Sequence, residues 1–203
     1  MTGTEHFDQA AATWDLADRR VLLARAVSEA IANRVPLSQE LTVLDFGCGT
    51  GLVTLELAPM VRSITGADTS PGMLKTLAEK AKTQGTPVHL IPLDATETGK
   101  LGGPYDLIVS SMTLHHVADV AALFNQFTQH LRPGGQVALA DLDEEDGTFH
   151  DASMTIHHRG FSRDQIQTWL AEAGFREINL ETATITQKDG KGYPVFLATA
   201  RWH

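Results

Sequence analysis

Residues 41–51, with the sequence LTVLDFGCGTG, constrain the fold of this chain more than any other segment. Their first half is a short apolar run with β-branched residues, which is typical of a strand buried on both faces. Their second half is a glycine turn, and the apolar periodicity of residues 52–60 predicts a helix after it. Glycines permit a positive φ and the close approach of a ligand, and the free N–H groups at a helix start are donors. The segment therefore predicts a strand, turn and helix that cradle a polar ligand of considerable size.

The spacing of the glycines in this turn narrows the choice of ligand. A dinucleotide site requires G-x-G-x-x-G beneath a pyrophosphate, whereas here the glycines alternate and follow Asp45. A carboxylate at the strand end would repel a pyrophosphate but attract a ligand that carries an ammonium and a sulfonium group. On this motif alone, a tight turn that binds no ligand remains the alternative.

With this motif the sequence resembles the class I S-adenosylmethionine-dependent methyltransferases, whose first motif has the form of residues 43–51. The resemblance implies that S-adenosylmethionine is the cofactor. It also implies that the first motif contributes five residues to the cofactor site, namely Asp45, Gly47, Cys48, Gly49 and Gly51.

The second predicted strand, residues 61–67, leads into Asp68, 23 residues after the first acidic strand end. This offset is close to the roughly 20 residues at which a carboxylate reaches a ribose in such folds. A carboxylate can accept hydrogen bonds from two vicinal hydroxyls at once. The alternative is that Asp68 caps the helix that begins near Pro71. The resemblance favours the ribose and adds Thr69 and Met73 to the cofactor site.

The third predicted strand, residues 88–93, is also followed by an acid, Asp94. In the family that the sequence resembles, an aspartate here accepts from the adenine amino group and the next backbone N–H meets the ring, which implies these roles for Asp94 and Ala95. Three successive strands thus end in an acid at the expected carboxyl edge of a sheet, where open α/β folds bind ligands. The resemblance further implies that Ser110 and His115 border the methionine end of the cofactor.

The order of the remaining elements predicts an α/β fold. Residues 105–111 and 136–140 predict the fourth and fifth strands, and residues 175–186 and 193–202 predict an antiparallel hairpin joined by the polar turn 187–192. Five strand–helix units followed by a hairpin is the arrangement of the methyltransferases that the sequence resembles. The expected fold is a Rossmann-like, doubly wound sheet of seven strands, mostly parallel, with a C-terminal antiparallel hairpin.

The length of 203 residues and the hydrophobic fraction of 42% fit a single domain with one core. We predict four parts within it: an N-terminal helical cap or lid (1–35), a cofactor-binding core (40–141), an acceptor segment (142–161), and a helix with the C-terminal hairpin (162–203).

The N-terminal part is expected to be helical. Phe7 and Trp14 are seven residues apart and therefore share a helix face, so the segment either closes as an amphipathic flap or packs on the core as a terminal helix. Residues 16–34 predict an amphipathic helix whose apolar side includes Leu16 and Leu22.

Charge and composition exclude several classes of partner. The formal net charge of −9 and the lack of a basic stripe argue against nucleic acid, and Arg19 and Arg20 are interpreted as part of a solvated helix face. No apolar run approaches the roughly 18 residues of a membrane span, and the first residues lack the pattern of a signal peptide. We therefore expect a cytoplasmic protein that acts on a small molecule.

Five histidines lie in segments expected at the carboxyl edge of the sheet: His115, His116, His150, His157 and His158. Histidine is the side chain best suited to accept a proton near neutrality. We predict His116 and His158 as the main candidates for a catalytic base, with His115 and His157 as their neighbours. The alternative is that all five pack or are solvated. No metal site is predicted, because the histidines and carboxylates of residues 142–161 lack a recognisable ligand spacing.

The predicted function is methyl transfer from S-adenosylmethionine to a small-molecule acceptor. A sulfonium is a good leaving group, so the protein mainly aligns a nucleophile with the methyl carbon, which can contribute roughly 7–11 kcal/mol. The motifs resemble those of methyltransferases that act on quinone precursors. This resemblance does not identify the acceptor. The alternatives are a sensor or scaffold that binds the cofactor without catalysis and an NAD-dependent oxidoreductase.

Overall fold

The computed structural model describes residues 3–93, 101–151 and 154–203. In this part of the chain seven strands form one sheet with the order β3-β2-β1-β4-β5-β7-β6. The strands are β1 (Thr42–Phe46), β2 (Ser63–Asp68), β3 (His89–Pro92), β4 (Tyr105–Ser111), β5 (Leu131–Leu142), β6 (Phe175–Lys188) and β7 (Lys191–Trp202).

Helices cover both faces of this sheet. The described α-helices are α1 (Gly3–Ala10), α2 (Asp18–Arg34), α3 (Leu52–Leu57), α4 (Pro71–Gln84), α5 (Val120–His130) and α6 (Arg163–Glu172). Short 3₁₀ helices span Ala11–Leu16, Ala58–Met60 and Leu114–His116. Between β5 and α6 the described residues form no helix or strand apart from one bridge between Asp143 and Phe161.

The pairing of the strands confirms the predicted fold class. Strands β1 to β5 pair in parallel, and β7 lies antiparallel between β5 and β6. The strand order reverses between β1 and β4, which places a crevice outside the carboxyl ends of these two strands. This crevice is where the glycine turn and the segment after β4 meet.

The core is split by the sheet into two layers. Val43 faces the layer formed with α2 and α3, whereas the adjacent Leu44 faces the layer formed with α5 and α6. Both side chains are buried. This explains why the adjacent residues Val43 and Leu44 are both apolar, since a strand covered on both faces shows no alternation of polar and apolar residues.

Two sequence expectations about α2 are wrong. Leu16 and Leu22 were placed on its apolar side, but their exposed fractions are 78% and 64%. Leu16 ends the preceding 3₁₀ helix, and Ala17, with an extended backbone, separates it from α2, which begins at Asp18. The side of α2 that packs is formed instead by Leu23, Val27 and Ile31.

The C-terminal hairpin is tighter than predicted. Strands β6 and β7 pair up to Lys188 and Lys191, so only Asp189 and Gly190 remain in the turn. Their φ values are +52° and +78°. Two-residue hairpin turns with positive φ at both positions favour Asp-Gly, which is the sequence found here.

None of the helices in the described residues is both long enough and apolar enough to cross a bilayer.

Candidate functional site

A cavity of about 310 Å³ lies at the carboxyl ends of β1, β2 and β4. Its volume is within the range of small-molecule sites, which begins at about 300 Å³. It runs from the glycine turn after β1 to the histidines after β4. Its lining includes most of the predicted cofactor residues: Asp45, Gly47, Cys48, Gly49, Asp68, Thr69, Met73 and His115.

The glycine turn is tied to the neighbouring strand through its backbone. The N–H groups of Gly47 and Cys48 both donate to the carbonyl of Ala67, at 2.8 and 3.1 Å. Gly47, Gly49 and Gly51 all have positive φ, between +52° and +81°. The turn therefore needs glycine for its conformation as well as for its size.

The three glycines differ in what lies beside them. A Cβ on Gly47 would lie 2.2 Å from Thr113, and one on Gly51 would lie 2.2 Å from Leu77. A Cβ on Gly49 would meet nothing within 4 Å. Gly47 and Gly51 thus permit internal packing, whereas Gly49 faces open space at the cavity. Gly51 is not among the lining residues and instead precedes α3.

Asp45 is a buried acid beneath this turn. Its Oδ2 accepts a hydrogen bond of 2.6 Å from the Thr54 hydroxyl. Burial raises the pKa of Asp45 to about 7, and the charge of Asp68 raises it further, while Thr54 opposes the shift. A cation at this end of the cavity would favour the ionised carboxylate.

Asp68 lies at the end of β2 and connects the glycine turn to the start of α4. Its two oxygens accept from the N–H groups of Gly49 and Ser70, each at 2.8 Å. The side chain that caps α4 is Ser70, which accepts from the Met73 N–H at 3.1 Å. The alternative expectation that Asp68 is the cap is therefore wrong. Burial raises the pKa of Asp68, although its backbone donors oppose this.

The three remaining predicted cofactor residues are Asp94, Ala95 and Ser110. Asp94 and Ala95 lie outside the described residues, so the third acidic strand end stays a prediction. Ser110 is buried and its hydroxyl donates to the carbonyl of Phe46 at 2.8 Å. It joins β4 to the end of β1 and does not line the cavity.

The N-terminal segment lies across the glycine turn and is held by two aspartates. Asp8 accepts from the Ser70 hydroxyl at 2.5 Å and from the Gly72 N–H at 2.8 Å. Asp15 accepts from the Thr50 hydroxyl and from Lys80, both at 2.6 Å. These contacts place Phe7 and Trp14 in the lining of the cavity, with their rings 5.6 Å apart.

The interpretation of Arg19 and Arg20 as solvated residues is wrong. Both are half-buried and line the cavity. The guanidinium of Arg20 lies 3.6 Å from the centre of the Trp14 ring, and that of Arg19 lies 4.9 Å from the centre of the Phe149 ring. The partner of Arg20 is in the adjacent 3₁₀ helix, whereas Phe149, the partner of Arg19, lies far away in the sequence.

His115 is the most buried histidine of the cavity, with an exposed fraction of 2%. Its Nδ1 lies 2.7 Å from Asp141, and its Nε2 lies 3.0 Å from the Nε2 of His150. Burial raises the pKa of Asp141, but the charge and hydrogen bonds of His115 outweigh burial and the pKa is lowered. Asp141 ends the fifth predicted strand, yet its role was missed because its partner belongs to a different strand end.

His116 and His150 complete a cluster with His115. The Nδ1 of His116 lies 2.9 Å from the carbonyl of Thr155, and therefore carries the proton. Burial lowers the pKa of both His116 and His150 to about 4, assisted by the charge of His115. Both are consequently neutral near pH 7. One ring nitrogen of each of the three histidines lies within 4.8 Å of the others.

His157 and His158 lie beside this cluster and are not among the residues that line the cavity. The Nε2 of His158 contacts the carbonyl of Val117 at 3.0 Å, and its ring packs on Phe161. The backbone N–H groups of His157 and His158 donate to the carbonyl of His115. The two residues therefore support the turn that carries His115. Of the histidines in the predicted acceptor segment, His150 is the one that lines the cavity.

The fold and the cavity together define an α/β protein with a nucleotide-type ligand site at the switch point of its sheet. The family is shown by comparison: the family model described as "Methyltransferase domain" matches residues 16–180. The chain belongs to this methyltransferase family, which confirms the resemblance noted in its sequence.

The curated relatives carry the same activity in their names. An uncharacterized methyltransferase of Schizosaccharomyces pombe is 31% identical over 164 residues, which are 73% of this chain and 56% of that protein. A ubiquinone biosynthesis O-methyltransferase of Rhizobium etli is 32% identical over 130 residues, 64% of this chain and 50% of that protein. The chain thus spans about half the length of the curated relatives it matches.

A solved structure shows the same fold. Phosphoethanolamine N-methyltransferase 2 of Haemonchus contortus, in complex with S-adenosyl-L-methionine, superposes with a TM-score of 0.68 at 17% identity, covering 86% of this chain and 52% of that one. At this identity the likeness shows the fold alone, and the family match is what assigns the chain to the methyltransferases.

Proposed function

We propose that this chain transfers the methyl group of S-adenosylmethionine to a small-molecule acceptor that lies in the same cavity. One observation carries the proposal: a single cavity joins the glycine turn and Asp68 to the histidine cluster and the aromatic rings of the N-terminal segment. Cofactor and acceptor can therefore lie side by side without intervening protein.

The residues of the glycine turn fit this cofactor. Asp68 is placed to accept from ribose hydroxyls, because a carboxylate retains lone pairs after its two backbone contacts. Among the described residues Asp45 forms no ion pair, and it is only partly ionised at pH 7, so a cofactor ammonium group would pair with it. Gly49 leaves room for the ligand beside the backbone. We assign the same site Gly47, Cys48, Thr69 and Met73, with Asp94 and Ala95 at the adenine.

The bound cofactor supplies an electrophilic methyl carbon on a sulfonium. The chain itself aligns the acceptor and excludes water, for which the rings of Phe7, Trp14 and Phe149 provide apolar surface in the lining. Alignment alone can contribute roughly 7–11 kcal/mol to such a reaction. Gly51 and Ser110 act indirectly in this proposal, since they shape the turn and the strand ends.

The acceptor's proton leaves toward the histidine cluster. His116 has its Nδ1 proton held by Thr155 and its Nε2 free, and His115 is oriented by Asp141. These two remain candidates for accepting the proton. His157 and His158 lie outside the cavity lining and are assigned a supporting role. With a pKa of about 4, however, His116 alone is a weak base near neutrality.

Calorimetric titration of the purified chain with S-adenosylhomocysteine and, separately, with NADH tests the proposal. We expect S-adenosylhomocysteine to bind at one site and NADH not to bind. Binding of NADH without binding of S-adenosylhomocysteine would contradict the proposal and support an oxidoreductase.

A cytoplasmic location and the lack of a nucleic-acid partner stay predictions. The net charge of −9 supports the lack of a nucleic-acid partner.

A further inference from the structure

We propose that His115, His116 and His150 form a binding site for a divalent transition metal ion, with zinc as the best match, at the acceptor end of the cavity. Their ligand nitrogens lie within 4.8 Å of one another. A zinc ion about 2.0–2.1 Å from each nitrogen requires the nitrogens to be about 3.4 Å apart in a tetrahedral site. The Nε2 atoms of His115 and His150, at 3.0 Å, are already near this separation, and a ring nitrogen of His116 lies within 4.8 Å of both ligand atoms.

The Nδ1 atoms of His115 and His116 make the hydrogen bonds that are usual for histidines bound to a metal. A ligating histidine usually donates its second N–H to a carboxylate or a backbone carbonyl, which fixes the tautomer and leaves the other nitrogen free for the metal. His115 has Asp141 at its Nδ1, and His116 has the carbonyl of Thr155 at its Nδ1. Both arrangements leave Nε2 as the free nitrogen.

The third histidine has an unsatisfied partner nearby. The Nδ1 of His150 is buried without a hydrogen-bond partner, and so is the Oε1 of Glu145. The Glu145 charge acts on His150 and favours its protonated form. With the Nε2 of His150 on a metal, its Nδ1 would carry a proton that Glu145 can accept after a change of side-chain torsion.

The chemistry of the ligands also suits a transition metal. Imidazole ligands suit zinc and its first-row neighbours, whereas magnesium and calcium prefer oxygen. Three histidines leave the fourth position of a tetrahedral ion open, as in catalytic rather than structural zinc sites.

The open position faces the cavity, and this deepens the proposed function, on which the following step rests. A hydroxyl or carboxyl oxygen of the acceptor would occupy the fourth position. The metal would lower the pKa of a bound hydroxyl, as zinc lowers that of bound water to about 7. The proton would then leave to solvent, with the histidines acting as metal ligands in place of the base considered above. The oxygen would attack the methyl carbon of the cofactor while the bond from that carbon to the sulfonium sulfur breaks, which releases S-adenosylhomocysteine.

Metal binding can be tested without any methyl transfer. Tag-free protein, stripped with a chelator, is titrated with Co²⁺ and its visible absorption is recorded, and the zinc affinity is measured by competition with a chromogenic chelator. We expect one ion per chain with a tetrahedral spectrum. His116→Ala and His150→Ala should each weaken zinc binding at least 10-fold, whereas His157→Ala, a neighbouring exposed histidine, should leave it unchanged.

A substitution of Asp141, which positions His115, tests the metal site independently of the ligands. Asp141→Asn should keep the three ligands but weaken zinc binding about 10–100-fold, the range for outer contacts of metal ligands; far-ultraviolet circular dichroism checks that it folds. The proposal is overturned if the wild type takes up no Co²⁺ or Zn²⁺ at micromolar concentration, or if both histidine variants bind as tightly as His157→Ala. A chain that binds zinc but no S-adenosylhomocysteine would keep the metal site and reject the proposed function.

Discussion

At the scale of single residues, the proposed cofactor site depends on two acids that line the cavity. Asp45 and Asp68 are both at strand ends, and burial raises the pKa of each. Their positions were predictable because a strand followed by an acid can be recognised in the sequence. Their hydrogen bonds to Thr54, Gly49 and Ser70 were not, because these depend on how the turn closes.

Replacing Asp68 by alanine should weaken S-adenosylhomocysteine binding by about 1.5–3 kcal/mol, the range for hydrogen bonds to a charged group. Isothermal calorimetry measures the change. Asp106→Ala is a matched control, because Asp106 also accepts from a backbone N–H, that of Thr42, but does not line the cavity. If the folded Asp68 variant binds as tightly as the control, the ribose assignment is lost.

Asp45 should make the stability of the ligand-free protein depend on pH. Its pKa is about 7 when folded and 3.8 ordinarily, so between these values the folded state holds a proton that the unfolded state has released. The contribution of Asp45 to stability therefore decreases as pH rises from about 4 to about 7. Urea unfolding of wild type and Asp45→Asn across this range should show the variant gaining relative stability with pH. If the free energies of unfolding of the two proteins change with pH in parallel, the pKa of Asp45 is not raised in the folded state.

At the scale of elements, the first two strand-end acids, the glycine turn and the hairpin were predicted close to their observed places. The bounds of β4 were predicted without error, because the turn residues Gly102, Gly103 and Pro104 precede it. β5 begins five residues earlier than predicted, at Leu131. Leu131 pairs with Tyr105 and Gln136 pairs with Leu107, and the pairing is irregular between them, where Gly134 has a φ of +81°.

The glycine turn offers a matched pair of substitutions. Gly47→Ala should lower the free energy of unfolding by more than Gly49→Ala, because only the first creates a clash, with Thr113. Both carry the cost of a left-handed backbone, about 1–2 kcal/mol. Gly49→Ala should remain folded but bind S-adenosylhomocysteine more weakly, as its methyl group enters the cavity. Urea unfolding and calorimetry measure both effects; equal stability of the variants, or wild-type binding by Gly49→Ala, would contradict this account of the turn.

At the scale of the whole molecule, the cavity is lined by segments that lie far apart in the sequence. The N-terminal residues Asp8 and Asp15 contact α4 and the glycine turn, and His150 of the acceptor segment reaches His115 after β4. Residues of the N-terminal segment and of 142–161 do line the cavity, and their roles as a flap and as an acceptor segment stay predictions. The histidine cluster could not be predicted, because its members come from separate segments and meet only in the folded chain.

The transfer of label from methyl-labelled S-adenosylmethionine to a pool of small metabolites tests the central claim most directly. We expect label in a low-molecular-weight product, with an equal amount of S-adenosylhomocysteine formed and with strongly reduced transfer by Asp68→Ala at cofactor concentrations below saturation. Asp106→Ala should transfer label like the wild type. If the chain binds S-adenosylhomocysteine but moves no label into any small molecule, the protein senses or carries the cofactor, and the claim that it is a small-molecule methyltransferase is contradicted.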